Sequence, residues 1–416
     1  MAAIGRGRST PAARQVPEPA ARLFTPAFIG LSIAELAYFT AAGLTIPITP
    51  LFAHGPLGAG PEGVGIAVGA FSITALVLRP YAGRMSDRFG RRPLLIGGAL
   101  ACAAVLAAHP VVADLSLLVV LRLLLGVAEA FFFVAAFAAV ADLAPPGRTG
   151  EAISFNSLAL YLGIALGPLL GQWLLDSGGF ALAWLGGAAL ALGAAVLAAR
   201  TPETSSASRV ADGPTPLVSR AALAPSLALF AGIAGMGGFF AFVAIHATET
   251  LRLDGASGIL FVFGIVVVGT RVVFARLPDR VPPFRLATMA LGISAIGLLI
   301  AGTVVTVPGL VVGAAVLAVG VAFTTPALFS AIFSRVHPSE RGAASGTASL
   351  FIDLGFGGGP MALGLIAGSA GIPTAFAAAA VLAAVGAGGC ALLAVRGMQT
   401  RDPGAVRRVD MAMSDS

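Results

Sequence analysis

Arg79-Pro80-Tyr81-Ala82-Gly83-Arg84-Met85-Ser86-Asp87-Arg88-Phe89-Gly90-Arg91-Arg92-Pro93 is a dense polar knot in an otherwise apolar part of the chain. It sets five arginines and one aspartate between two apolar runs, one starting near Gly63 and one ending near Ala113. A short charged loop between two hydrophobic runs is a tight turn at a membrane surface. The same alternation of long apolar run and short polar loop continues in both directions.

Composition agrees. The chain is 57% hydrophobic and 11% charged, with a mean hydropathy of +0.95, so it has too little polar surface to cover a soluble protein. Only 7% is aromatic, and the apolar mass is small and aliphatic, as closely packed membrane helices prefer. All 25 basic residues are arginine. They stand singly or in small groups beside apolar runs, which is the pattern of membrane topology rather than of nucleic-acid binding. Cys102 and Cys390 lie inside apolar runs, so neither a disulfide nor a metal site is indicated.

Counting runs near the twenty residues that cross a bilayer gives twelve spans, at about 25–50, 63–82, 93–113, 115–141, 151–175, 180–199, 222–247, 256–275, 285–306, 308–333, 343–368 and 372–395. The division expected is a tail over 1–23, six helices over 24–199, a linker over 200–221, six helices over 222–395 and a tail over 396–416. The first span is too long for a signal-peptide core and carries Glu35. Of the arginines, 21 fall in the tails and in the loops that follow even-numbered spans, against Arg252 alone in the opposite loops. By the positive-inside rule both termini are expected in the cytoplasm.

An internal repeat runs at an offset of 192 residues. Arg79, Arg84, Asp87 and Arg88 fall on Arg271, Arg276, Asp279 and Arg280. Gly163, Gly167 and Pro168 fall on Gly355, Gly359 and Pro360, and Pro146 and Gly150 on Pro338 and Gly342. One register held over so long a distance predicts two parallel six-helix halves related by an axis along the membrane normal.

The spacing Gly83-x-x-x-Asp87-Arg88-x-Gly90-Arg91-Arg92 resembles the loop between helices 2 and 3 of the major facilitator superfamily. The resemblance covers about Phe24 to Arg396. It implies an all-α membrane protein with the major facilitator fold, twelve transmembrane helices in two pseudo-symmetric six-helix bundles. It also implies a cytoplasmic gate in which Gly83 and Gly90 allow close approach, Asp87 sits at the N-terminus of helix 11, and Arg91 pairs with Asp142. Arg88 belongs to the same motif, and Asp279 is the repeat copy of Asp87. A carboxylate is favoured at a helix N-terminus by the free N–H groups there.

Gly163-Ile164-Ala165-Leu166-Gly167-Pro168-Leu169-Leu170-Gly171 resembles the helix-5 motif of drug–proton antiporters in that superfamily, with Pro168 expected to bend the helix where the halves meet. Leu118-x-x-x-Arg122-x-x-x-Gly126 resembles their helix-4 motif, departing from it at Leu125, where a glutamine is usual. Glu129 lies two turns beyond Arg122 on the same face, about 10 Å away. Glu35 lies near the middle of the first span and Asp353 at comparable depth in the eleventh. Charges inside a membrane cost a few kcal/mol and face a cavity or a partner, and desolvation favours the neutral form of a carboxyl group. Glu35, Arg122, Glu129 and Asp353 are therefore the candidates for proton coupling and substrate contact, with Glu35 and Glu129 exchanging protons and Arg122 biasing the exchange. The alternative is a static Arg–Glu pair pinning the first and fourth spans. Arg79 and Arg271 are expected to snorkel to the surface, and His246 and Glu249 to form a solvated rim.

The function implied is secondary active transport by alternating access. The form expected is proton-driven export of small apolar or amphipathic compounds, with the proton gradient in place of a cofactor. Import of a nutrient by symport or facilitation is the first alternative, and a sensor or assembly factor of the same fold the second. The expected partners are a small-molecule substrate, protons and lipid, with no nucleic acid, metal or catalytic residue. A monomer in the bacterial inner membrane is the expected form.

Overall fold

The computed structural model describes residues 23–145, 148–204, 219–274, 277–336 and 341–399, and among them every regular element is helical. Most of the expected tails and of the linker fall outside these residues, as do Pro146, Arg276 and Pro338 of the repeat.

Short polar side chains start the helices. At α1 (Pro26–His54) the Thr25 hydroxyl accepts the Phe28 amide at 3.2 Å, and Pro26 stands in the first turn, where its missing N–H costs nothing. Asp114 accepts the Leu117 amide at 2.9 Å to open α4 (Leu115–Leu143). Thr306 does the same for Gly309 at α10 (Val307–Phe333). Between α2 (Pro61–Phe89) and α3 (Arg91–Ala108) the chain turns on Gly90, whose φ of 97° suits glycine alone. Glu203 reaches back to this turn and accepts the amides of Arg91 and Arg92 at 2.8 and 3.2 Å. It thereby satisfies donors that the start of α3 leaves open.

The 52 residues of α5 (Thr149–Arg200) are too many for one crossing. The backbone leaves helical geometry at Gly178 and Gly179, the latter with φ 71°, where the fifth and sixth spans were expected to separate. The chain continues as α6 (Arg220–Ile245), a π-turn over His246–Thr250, α7 (Ser257–Val273), the short α8 (Leu277–Arg280), α9 (Pro283–Thr303), α10, α11 (Arg341–Ala370) and α12 (Ile372–Gln399). By length and hydropathy ten of the described helices qualify as spans, not twelve. Dividing α5 at its glycine pair would add one more, and α7, at 17 residues, is apolar but shorter than the helices that qualify.

Two sets of helices result. In the first, α1 packs on α5, α2 on α4, and α3 on both α4 and α5; in the second, α9 packs on α10 and α12, and α6 on α11 and α12. The sets meet where α2 lies on α11, α5 on α7 and α1 on α6. Lipid offers no hydrophobic drive between helices, so contact depends on how closely backbones approach. A Cβ at Gly65 or Gly69 of α2 would strike the carbonyls of Pro360 or Gly357 in α11, and one at Gly264 of α7 would strike Ala165 in α5. In α11, Gly357 itself rests on the Ser72 side chain of α2.

These approaches lie in the middle and at the arginine-poor end of the bundle. There His54, closing α1, bridges to Glu249 of the π-turn at 2.5 Å. At the other end a side-chain carbon on Gly83 would meet nothing within 4 Å among the described residues.

Candidate functional site

Inside the bundle one guanidinium lies between two carboxylates. Arg79 of α2 places Nε 2.8 Å from Oδ2 of Asp353 in α11 and Nη2 3.2 Å from Oε1 of Glu129 in α4, to which it donates a hydrogen bond. The Asp353 contact is a close charge pair without an aligned N–H. Beneath the guanidinium lies the ring of Phe133, its centroid 4.6 Å away. Asp353 is 4% exposed, and the Arg79 side chain 16%. Arg79 does not snorkel, contrary to expectation. It stands ten residues, about 15 Å, from the end of α2, and two acids hold it there at less cost than a free charge would incur. Arg79 and Glu129 belong to one helix set and Asp353 to the other, so the cluster spans the junction. With all three groups ionised it carries one surplus negative charge.

Glu35 and Arg122 stand apart from this cluster. Asn156 of α5 donates to Oε2 of the buried Glu35 at 2.5 Å, Ser32 donates in turn to Asn156 at 3.3 Å, and Glu35 Oε1 has no partner. Arg122 donates to the carbonyls of Ala67 and Val68 in α2 at 3.0 and 3.3 Å and faces the Phe71 ring. The static Arg–Glu pair between the first and fourth spans is thus absent: Glu35 is turned to α5 and Arg122 to α2. Glu129 shares no contact with Arg122 and is held by Arg79 instead.

In the loop motif, Arg91 Nε lies 3.2 Å from Asp142 Oδ2, and its Nη1 donates to the Ser86 hydroxyl at 3.0 Å. Both partners are in the first helix set. Arg88 is exposed and rests over Phe89. Asp87 and Asp279 lie in α2 and α8, and their side chains fall outside the described residues.

The glycines of the helix-5 motif pack on α1. Cβ atoms at Gly163 and Gly167 would strike Phe39 and the Gly43–Leu44 backbone of α1, and Gly171 abuts Leu44 and Ile48. Its glycines therefore serve packing within one helix set. Ala165, between them, makes the contact to α7, and Pro168 lies inside the continuous helix.

Arg271 of α7 also fails to snorkel. Its Nη2 donates to the Tyr161 hydroxyl of α5 at 2.8 Å, its Nη1 reaches Ser157 at 3.5 Å, and its guanidinium lies 4.1 Å from the Tyr161 ring centroid. Residue 271 is the repeat copy of 79, and 353 is 192 residues beyond 161. The two arginines thus cross the junction in symmetry-related ways, one to an aspartate and one to a tyrosine. The same offset relates the Ser72–Gly357 and Gly264–Ala165 contacts. Alignment of Arg79 on Arg271 already held this signal. At the arginine-poor end, Glu249 is exposed as expected, but His246 is fully buried against Phe376 rather than on a rim.

The helical fold, the spans and a charge cluster at the junction define a multi-pass membrane transporter. The model of the Major Facilitator Superfamily matches residues 31–306, and the chain belongs to that family. An MFS-type transporter of Salmonella typhimurium, itself described as uncharacterized, is 31% identical over 366 residues, covering 86% of this chain and 94% of that protein. YhhS of Escherichia coli K12, also described as an uncharacterized MFS-type transporter, is 29% identical over 394 residues, with 89% and 94% covered. Among solved structures, a bacterial homolog of the human lysosomal transporter Spinster, inward-facing and occupied, superposes with a TM-score of 0.72 at 15% identity. It covers 89% of this chain and 96% of that one. The last likeness establishes the fold alone.

Proposed function

We propose that this transporter is a proton-coupled antiporter that exports small amphipathic compounds by alternating access, with Arg79, Glu129 and Asp353 as its coupling centre. One observation carries the reading: a single half-buried guanidinium serves two carboxylates, one from each helix set. A proton added to Asp353 neutralises its side of the Arg79 pair and loosens the junction between α2 and α11. Loss of that proton restores the pair. Glu129 keeps Arg79 paired and in place meanwhile, which limits the cost of opening. Glu35, with one oxygen unpartnered, is a second proton site nearer α5.

The positive-inside rule supports placing the arginine-rich end and both termini in the cytoplasm of a bacterial inner membrane. With that orientation the sets are joined on the outer side, and the arrangement is inward-facing. The Arg91–Asp142 pair then belongs to the cytoplasmic gate, with Asp87 to engage the start of α11 in the outward-facing state. The helix-5 motif resembles that of exporters and supports the direction. Energy comes from the proton gradient, without a cofactor.

The test uses purified protein in liposomes holding a pH dye, with an imposed proton gradient and added amphipathic compounds. Compound-triggered proton release that is lost in Asp353→Asn supports the centre. Proton movement together with a compound in the same direction replaces export by import and leaves the fold untouched.

A further inference from the structure

Arg79 has two acids; its repeat counterpart has none. Among the described residues no carboxylate lies within ion-pair distance of Arg271, whose named polar partners are the hydroxyls of Tyr161 and Ser157. Its Nε is buried without a hydrogen-bond partner. A cation inside a membrane protein without a counter-charge is costly, and in transporters such residues mark the substrate path. Guanidinium groups favour planar oxyanions because several N–H donors lie in one plane. The Tyr161 hydroxyl, accepting from Arg271, keeps its own proton free to donate in the same direction.

We infer that Arg271 with Tyr161 and Ser157 is a recognition site for the carboxylate or similar oxyanion of an amphipathic substrate, which supplies the charge that Asp353 supplies to Arg79. The inference rests on the transporter reading and gives it a substrate class; it does not depend on proton coupling or direction. The aromatic face of Tyr161 beneath the guanidinium holds the planar group in register, and the apolar helices around it receive the rest of the molecule. Binding of the anion ties α7 to α5 across the junction, as the Arg79–Asp353 pair ties α2 to α11.

Binding without any gradient tests the site separately from coupling. Equilibrium dialysis of the purified protein would use three probes with one apolar body: naphthalene-2-carboxylate, its amide, and 2-naphthylmethylamine as the cation. The carboxylate is expected to bind at least about tenfold tighter than the amide, a typical charge-assisted gain. Arg271→Gln should bring the two within about twofold, and Tyr161→Phe should weaken the carboxylate about threefold without affecting the amide. A structural strut would instead lower all three probes together, or none. That result overturns the site, as does an absent carboxylate preference in the native protein or one that survives Arg271→Gln. Tyr161→Phe carries the test if Arg271→Gln is not monodisperse. An Asp353→Asn protein that binds the carboxylate normally, alongside native protein that moves no protons, would sink the coupling proposal while leaving this one standing.

Discussion

The junctions α2–α11 and α5–α7 share a backbone plan and differ in charge. Each brings a small residue of one helix against its partner, and each sends one arginine across, Arg79 or Arg271. At the first, Arg79 is over-neutralised by Asp353 and Glu129. At the second, Arg271 meets a phenol and a serine. Repetition of the sequence explains the plan, and divergence at residues 161 and 353 explains the chemistry. On the proposed reading, the carboxylate crossing takes the proton and the phenol crossing takes the substrate.

The largest expected effect comes from removing the titratable crossing. Asp353→Asn leaves Arg79 to Glu129 alone and should lower gradient-driven flux in proteoliposomes at least about a hundredfold, on the scale of losing one member of a buried charge pair. Flux within twofold of native would show that the α2–α11 crossing is only structural. Making the junctions alike should come next. Tyr161→Asp supplies Arg271 with an internal counter-charge and should cut naphthalene-2-carboxylate binding about tenfold or more while leaving the amide unchanged. Undiminished carboxylate binding would break the comparison.

Steric substitutions probe the shared plan. Gly69→Val and Gly264→Val each drive a side chain into the facing helix, at a cost of about 1–3 kcal/mol for overpacking. Both should shift the protein toward the state separated at the arginine-poor end, read as a longer spin-label distance between that end of α2 and of α11. If only one does so, the two junctions are not mechanically equivalent. The smallest effect is expected from Glu129→Gln, which leaves Arg79 and Asp353 as a balanced pair. Flux should fall about three- to tenfold, clearly less than for Asp353→Asn; an equal or greater loss would move the proton site to Glu129.

Much of this was legible beforehand. Long apolar runs, arginine asymmetry and the 192-residue repeat carried the class and the pseudo-symmetry, because a membrane imposes its thickness and polarity on every span. The acids Glu129 and Asp353 were legible as candidates because a charge in an apolar run is conspicuous. Their common partner was not. Arg79, near a run's end, looked like a residue free to snorkel, and Arg122, on one helix face with Glu129, looked like the residue that biases proton exchange. Helix periodicity relates residues of one helix, whereas Arg79, Glu129 and Asp353 come from three. The helix-5 glycines show the same limit: spacing identifies a small-residue face without saying which helix it meets, and that helix is α1.

By itself, then, the sequence determined the helical membrane class, the two-part repeat and which residues are too costly to bury without cause. Only the tertiary structure decided who neutralises whom. Charge pairing in a membrane depends on distances of about 3 Å between helices, and those distances follow from how glycines and prolines let the helices settle against one another. That settling gave Arg79 two carboxylates and left Arg271 with Tyr161.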